Sequence, residues 1–336
     1  MRALALPSVI LATILGCSAT PNLQFTGSTG SGNAGAGGAT GSSSAATGKG
    51  GSSTGTSGQG GGLGLGGGFT GSGGSTGSGT PGCSTAATLV YVFSLDNEIY
   101  SFDPPSKTFT PVATPDCQTG GGQPNSMAID RNLVAWLNYI DDSSANGGAI
   151  YAFDLKTKSG CQLAVTLPPS YTQVGMGFST DAVGSTSETL YVDGIGGAGL
   201  AKIDMATKTL VPLGAFSGDA ALTSGSAELT GTGDARLFGY FTTSPNVRVA
   251  QINKASGAIL SDFELKGVSP PSDWAFSFWG GDFYLYAAPG SNASGNSSVI
   301  HYAPGTSAVD PTYVADVGFT IIGAGVSTCA PVTPPT

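Results

Sequence analysis

The residues best suited to acid–base chemistry are four aspartates, Asp130, Asp181, Asp234 and Asp282, each of which follows an apolar, strand-like run. Two carboxyls facing one another in a cleft can act as general acid and general base. The recurrence has a plainer account, because aspartate is a turn former and one aspartate at the same place in each repeat marks a shared hairpin rather than a unique site. That account is preferred. Asp141, Asp142 and Asn146 offer oxygen atoms to calcium, but their spacing departs from the EF-hand loop and suits a solvated turn. The single histidine, His301, and cysteines without metal-type spacing leave no ordinary zinc site. Trp136, Tyr139, Trp274, Phe276, Phe278, Trp279, Tyr284 and Tyr286 would stack on sugar rings or anchor a peptide if exposed; their alternation within strands favours packing between sheets. No catalytic residue, metal ligand or cofactor is assigned.

Charge excludes some partners. The 336-residue chain has 12 basic and 21 acidic side chains, and every acidic residue but only part of the basic set follows Cys83, since Arg2 and Lys49 precede it. An acidic domain without a Lys/Arg run repels phosphate backbones and anionic lipid head groups, so nucleic acid is not a partner. GSSTG from Gly51 and GGSTG from Gly73 match the hydrolase nucleophile elbow, and GLGLGG from Gly62 matches a dinucleotide fingerprint. Neither has the strand, turn and helix it requires, and both arise from composition in a Gly/Ser tract. The sequons at Asn292 and Asn296 matter only where that glycosylation exists.

The elements that must position any site begin after an export signal. Met1-Arg2 is followed by an apolar stretch from Ala3 to Leu15, too short to span a bilayer. It ends in Ile14-Leu15-Gly16-Cys17, which resembles the lipobox of bacterial lipoproteins. The resemblance implies cleavage before Cys17, a diacylglyceryl group on its thiol and acylation of the new amino terminus, so that several acyl chains hold the protein to a membrane. Ser18, standing where aspartate often marks retention in the inner membrane, favours the outer membrane or cell surface. Residues 1–16 are thus read as signal peptide and 17–82 as a Gly/Ser/Thr-rich disordered tether, which as a flexible coil spans about 45 Å.

Residues 83–331 are read as one all-β domain, with 332–336 a short tail. A strand-and-turn pattern recurs at Ile99, Ile150, Leu200, Val249 and Val299, as in IYAFDLKTKSG and LAKIDMATKT, with a period close to fifty. A second extended run follows each turn, a hairpin signature. Another strand precedes each hairpin, and a further leading strand precedes four of the five; the first unit lacks its own, and GFTIIGAG from Gly318 is a leading strand with no unit after it. Five four-stranded units with the final strand completing the first predict a five-bladed β-propeller. A β-sandwich or β-helix is the alternative. The Asp-x-x-Thr turn resembles quinoprotein-type and low-density-lipoprotein-receptor-type (YWTD) propellers. This chain has neither the tryptophan signature of the former nor the YWTD motif of the latter, so the resemblance brings no cofactor or partner.

In an exported protein Cys83, Cys117, Cys161 and Cys329 are expected to be oxidised, with three connectivities open. The propeller reading places Cys83 and Cys329 on one face of the first blade, where a bridge would close the ring. Cys117 is left to pair with Cys161, although strand direction puts them on opposite faces unless the loop from Thr114 to Pro124 bends around. The expected role is a non-enzymatic recognition or scaffold module with a protein or glycan ligand. A five-bladed carbohydrate-active enzyme predicts an acidic pair facing a deep channel; a lectin predicts equivalent pockets in every blade.

Overall fold

The computed structural model describes residues 83–335 apart from 141–147, 220, 224, 243–245 and 290–294. Cys17, Asp141, Asp142, Asn146 and Asn292 lie outside the described residues. Three strands open the fold: β1 (Val90–Ser94), β2 (Ile99–Asp103) and β3 (Thr108–Ala113). The second sheet is β4 (Gln123–Ile129), β5 (Val134–Ile140), β6 (Ala149–Asp154) and β7 (Ser159–Thr166). The third is β8 (Val174–Thr180), β9 (Glu188–Gly194), β10 (Gly199–Asp204) and β11 (Thr209–Gly214). The fourth is β12 (Ala227–Gly231), β13 (Leu237–Phe241), β14 (Arg248–Ile252) and β15 (Ile259–Glu264). The fifth is β16 (Trp274–Trp279), β17 (Asp282–Ala287), β18 (Ser298–Ala303) and β19 (Ala308–Val314).

The last strand, β20 (Ile321–Val326), pairs antiparallel with β1 in a register that sets Val90 opposite Val326 and Phe93 opposite Gly323. The first sheet therefore runs β20-β1-β2-β3, and five four-stranded antiparallel sheets make a five-bladed β-propeller. The sandwich and β-helix alternatives fall, because each sheet is built from one consecutive repeat and only β20 crosses from one end of the chain to the other.

The repeat visible in the sequence is largely one hairpin chemistry. Oδ1 of Asp154 accepts from the amides of Lys156 and Thr157, and Oδ1 of Asp204 accepts from those of Ala206 and Thr207. The turn then needs one left-handed residue, at Lys107, Lys158, Lys208 and Ser307 in four blades. The remaining blade uses Asn253 as the acceptor and Gly257 at a φ of 76°.

Alternation along each strand sends side chains into the spaces between blades, and the core is five separate interblade clusters. Phe93, Met127 and Phe153 pack between blades 1 and 2; Met176, Phe178 and Leu190 between 2 and 3; Leu229, Leu237 and Phe241 between 3 and 4; Phe276, Phe283 and Tyr240 between 4 and 5; and Val92, Phe102 and Tyr286 between 5 and 1. Of the aromatics singled out in the sequence, Trp136, Tyr139, Phe276, Phe278, Tyr284 and Tyr286 are buried here.

The innermost strands β4, β8, β12, β16 and β20 each touch the next around the ring. Their backbones approach so closely that a Cβ at Gly175 would lie 1.9 Å from the Ala227 carbonyl oxygen, and one at Gly323 would lie 2.8 Å from the Met127 nitrogen. Every residue of β8, β12 and β20 is buried. Backbone and side chains thus fill the axis between its two ends.

Closure is reinforced where the chain returns. Cys83 is disulfide-bonded to Cys329 with the alpha carbons 5.7 Å apart, and the Ser327 hydroxyl donates to the Ala87 carbonyl at 2.8 Å. Trp279 Nε1 donates to the Thr88 carbonyl at 2.8 Å, and Tyr313 donates to the Pro104 carbonyl at 2.7 Å, tying blade 5 to blade 1. Cys117 is bonded to Cys161 with alpha carbons 4.8 Å apart. The loop after β3 does bend around: Asp116 accepts from the Cys161 amide at 3.0 Å, laying the loop along the outer strand of blade 2, and these backbone hydrogen bonds hold its carboxyl below the ordinary range.

Opening the ring should cost more than freeing that loop. By loop-closure entropy, the Cys83–Cys329 bridge, whose ends are 246 residues apart, contributes about 5 kcal/mol, and the Cys117–Cys161 bridge, spanning 44, about 4 kcal/mol. In guanidinium denaturation, C83S/C329S should lower the midpoint more than C117S/C161S. The opposite order would contradict closure through the termini.

Candidate functional site

At one end of the axis the starts of the inner strands diverge enough to leave a blind cavity of about 270 Å³. Gln123, Pro124 and Asn125 come from β4, Val174 and Gly175 from β8, Ala227 and Glu228 from β12, Trp274 from β16 and Ile322 from β20, so all five blades contribute. Asp193, Ser226, Ser272, Asp273, Leu95, Ile140 and Gln173 complete the lining, which among the described residues contains three carboxylic acids and no Lys, Arg or His.

The floor is an axial carboxyl. Glu228 Oε2 accepts from Ser126 Oγ of blade 2 at 2.9 Å, and the Met176 amide of blade 3 also donates to this side chain. One side chain of blade 4 therefore holds two other blades across the axis. Burial pushes the Glu228 carboxyl well above the ordinary carboxylate range, and the charge of Asp193 pushes it the same way, against the Ser126 and Met176 donors.

Asp193 is only 1% exposed. Its Oδ2 accepts from the Ala227 amide at 2.6 Å, while Oδ1 has no hydrogen-bond partner among the described residues. Burial raises this carboxyl well above its usual value, opposed by the amides of Ala227 and Gly194. A buried acceptor left unpaired costs free energy.

The wall beside it is an amide relay. Asn125 Nδ2 donates to Asn138 Oδ1 at 2.8 Å and to the Val174 carbonyl at 3.0 Å, and the fully buried Asn138 donates in turn to the Ala149 carbonyl at 3.0 Å. At the rim stand half-buried Trp274 and Leu95, the latter 46% exposed. Ser272 donates to Asp273 Oδ2 at 2.9 Å.

The four aspartates of the sequence lie at the other end of the inner strands and are not gathered into this cavity. Asp130 Oδ1 accepts from the amides of Asn132 and Val134, and Oδ2 from Trp136 Nε1. Asp181 accepts from Thr189, Asp234 is paired with Arg236 at 2.8 Å, and Asp282 meets His301 Nε2 at 2.8 Å. Each serves its own turn or hairpin. Among the described residues no group of three or more His, Cys, Asp and Glu side chains is placed to hold a metal. Asn296 donates to Asp316 at 2.9 Å.

Sequence reasoning overlooked Asp193 and Glu228. Asp193 precedes a Gly-rich turn and reads as a turn residue, but Glu228 carried a signal: it is the one charged residue inside SAELTG, a run that is otherwise uncharged.

Fold and cavity together define the protein as a five-bladed β-propeller with a blind, acid-floored axial site. No protein-family model matches this sequence, and no curated protein is significantly similar to it. Among solved structures the chain is similar to the calcium-binding protein regucalcin from Agrobacterium tumefaciens, with 14% identity over 61% of this chain and 66% of that one, at a TM-score of 0.39. The aligned region is thus just under two thirds of that protein. A luciferin-regenerating enzyme is similar at 14% identity over 72% and 79% of the two chains, TM-score 0.42, and the Myxococcus xanthus glutaminyl cyclase at 13% over 61% and 71%, TM-score 0.36. None of the three passes its ligand or activity to this chain.

At the opposite mouth Glu188 accepts from the Arg131 amide at 2.8 Å and from the Thr328 hydroxyl at 2.7 Å, joining blades 1, 2 and 3. Burial, aided by the charge of Asp130 and opposed by the Thr328 and Arg131 donors, raises its pKa from 4.5 to about 7. A raised folded-state pKa means stability that is present below pH 4.5 and lost as pH rises through 7. E188Q should therefore unfold with a weaker pH dependence than wild type, the gap in unfolding free energy shifting by up to about 3 kcal/mol across this window in favour of the variant. Urea titrations at both ends of the window check this; parallel profiles would contradict it.

Proposed function

We propose that the chain is an exported lipoprotein, held through acylated Cys17 to the outer membrane or cell surface, whose propeller is a recognition module that seats a small ligand in the axial cavity. The observation that carries the recognition reading is the blind cavity to which every blade contributes, with the buried acids Asp193 and Glu228 in its lining. A volume near 270 Å³ sits at the lower edge of the range for small-molecule sites. The lipobox-like Ile14-Leu15-Gly16-Cys17 and the Gly/Ser/Thr tract after it support the address.

A glycoside hydrolase is the second reading, favoured by the acid pair Asp193 and Glu228. Hydrolysis needs one carboxyl protonated and its partner ionised, in environments that push the two apart. Here burial raises both, and a filled axis leaves no deep channel for a polymer. A lectin with one shallow site per blade suits the chain less well, because this cavity is shared on the axis.

Two measurements test the reading. Expressed in a bacterium fed radiolabelled palmitate, wild type should carry label and partition into the detergent phase, and C17S should do neither; label on both or on neither would overturn the anchor. In a thermal-shift panel of small amines, acids and sugars, at least one class should raise the melting temperature of wild type and shift W274A less. No shift with any class would overturn the seat.

A further inference from the structure

We propose that the outer edge of blade 4, strand β15, is a docking site for a partner polypeptide, which adds to that sheet an extended segment of alternating basic and apolar residues. Five blades present five outer strands, and an unblocked outer strand offers unpaired amides and carbonyls to another chain. Proline interrupts three of them, as Pro111 in β3, Pro212 in β11 and Pro311 in β19. A fourth, β7, is bonded through Cys161 to the loop in front of it, which sets the Asp116 carboxylate on the Gly160 and Cys161 amides. β15 (ILSDFE) has no proline. Among the described residues its outer side is paired at the start alone, where the Ile259 amide donates to the Ser217 carbonyl at 2.8 Å.

Register identifies the open amide. Tyr100, Ala201 and Ala250 hold one place in their repeats, each following the residue at which the hairpin pattern begins, and they pair with Pro111, Pro212 and Asp262. A proline fits a ladder where no inward donor is needed, so this position turns its nitrogen away from the sheet. In blade 4 an aspartate amide stands there in place of a proline ring.

The side chains of β15 fix what the added strand carries. Ser261 and Phe263 line a groove of about 280 Å³ between blades 4 and 5, walled by Phe278, Phe283 and Tyr302. Asp262 and Glu264 alternate with them and, with Asp219, surround Arg248, three carboxylates to one guanidinium. Apolar side chains of an added strand fall over the groove and basic ones over the acids, as alternation along a strand requires. A second copy of this chain would set the same acids against them, and the tract before Cys83 has Arg2 and Lys49 as its only cations. β7 has no acid to match such a partner. No residue of β15 lines the axial cavity, so this surface is separate from the seat.

The test uses the full chain and fluorescein-labelled peptides in anisotropy titrations: one alternating lysine and valine, the same peptide N-methylated at every residue, and one alternating glutamate and valine. The lysine peptide should bind more tightly than either of the others by about tenfold. With it bound, hydrogen exchange should slow at the Asp262 and Glu264 amides and not along β7. D262P, which copies the proline of blades 1 and 3, should remove the preference over the N-methylated peptide, and D262N, which keeps the amide, should retain it. If D262P fails to fold, the wild-type peptide ratio, the exchange pattern and D262N still decide. Equal binding of the lysine and N-methylated peptides, equal binding of the glutamate peptide, protection at another strand, or no binding at all would overturn the proposal. Self-association of the full chain that D262P abolishes would put a second copy on the edge and overturn the basic partner. None of these outcomes touches the axial seat, which the thermal-shift panel tests by itself.

Discussion

Five sheets set around one axis leave almost no room at the centre, and the rest of this molecule follows from that crowding. The inner strands meet backbone to backbone, which is why Gly175 faces the Ala227 carbonyl and Gly323 the Met127 amide with no space for a Cβ. Close approach removes water from the axis, so a polar group placed there must find its partners inside the protein. Glu228 does so by accepting from Ser126 and Met176, drawing blades 2, 3 and 4 onto one side chain.

A ring of sheets also has to be shut. Each blade alone is a small four-stranded sheet with two faces to bury, and its faces are buried only when a neighbour stands on either side. The interblade clusters make stability a property of the closed circle, and β20 lets the last residues of the domain complete the first sheet. The Cys83–Cys329 bond, the Trp279 and Tyr313 hydrogen bonds, and the Arg131–Glu188–Thr328 group all act at or near that seam.

The architecture was legible because it repeats. Hairpins capped by Asp154, Asp204 and Asn253 are local, and a missing strand at one end with a spare strand at the other is a counting argument that sequence alone supports. The same locality misdirects a search for chemistry. Asp130, Asp181, Asp234 and Asp282 stand out by recurrence, and recurrence is what a turn produces. Asp193 and Glu228 matter through residues from other blades that approach them only after closure: Ala227 for the first, Ser126 for the second, about a hundred positions away in sequence. Neither contact leaves a spacing to read. The Cys117–Cys161 pair was harder than Cys83–Cys329 for a related reason, since its geometry depends on the path of one Gly-rich loop around a sheet edge rather than on strand order.

The crowded axis and the acid-floored cavity are two consequences of one geometry: where the inner strands touch, the channel is filled, and where they splay at their starts, a small acidic space opens above Glu228. Carboxyl-carbon NMR of the full chain, with Glu228 and Asp193 assigned through E228Q and D193N, tests this most directly. The account predicts two carboxyl resonances that titrate well above the ordinary carboxylate range, each lost in its own variant. Ionisation of both within that ordinary range would mean that water reaches the axis and that the buried acid pair does not exist.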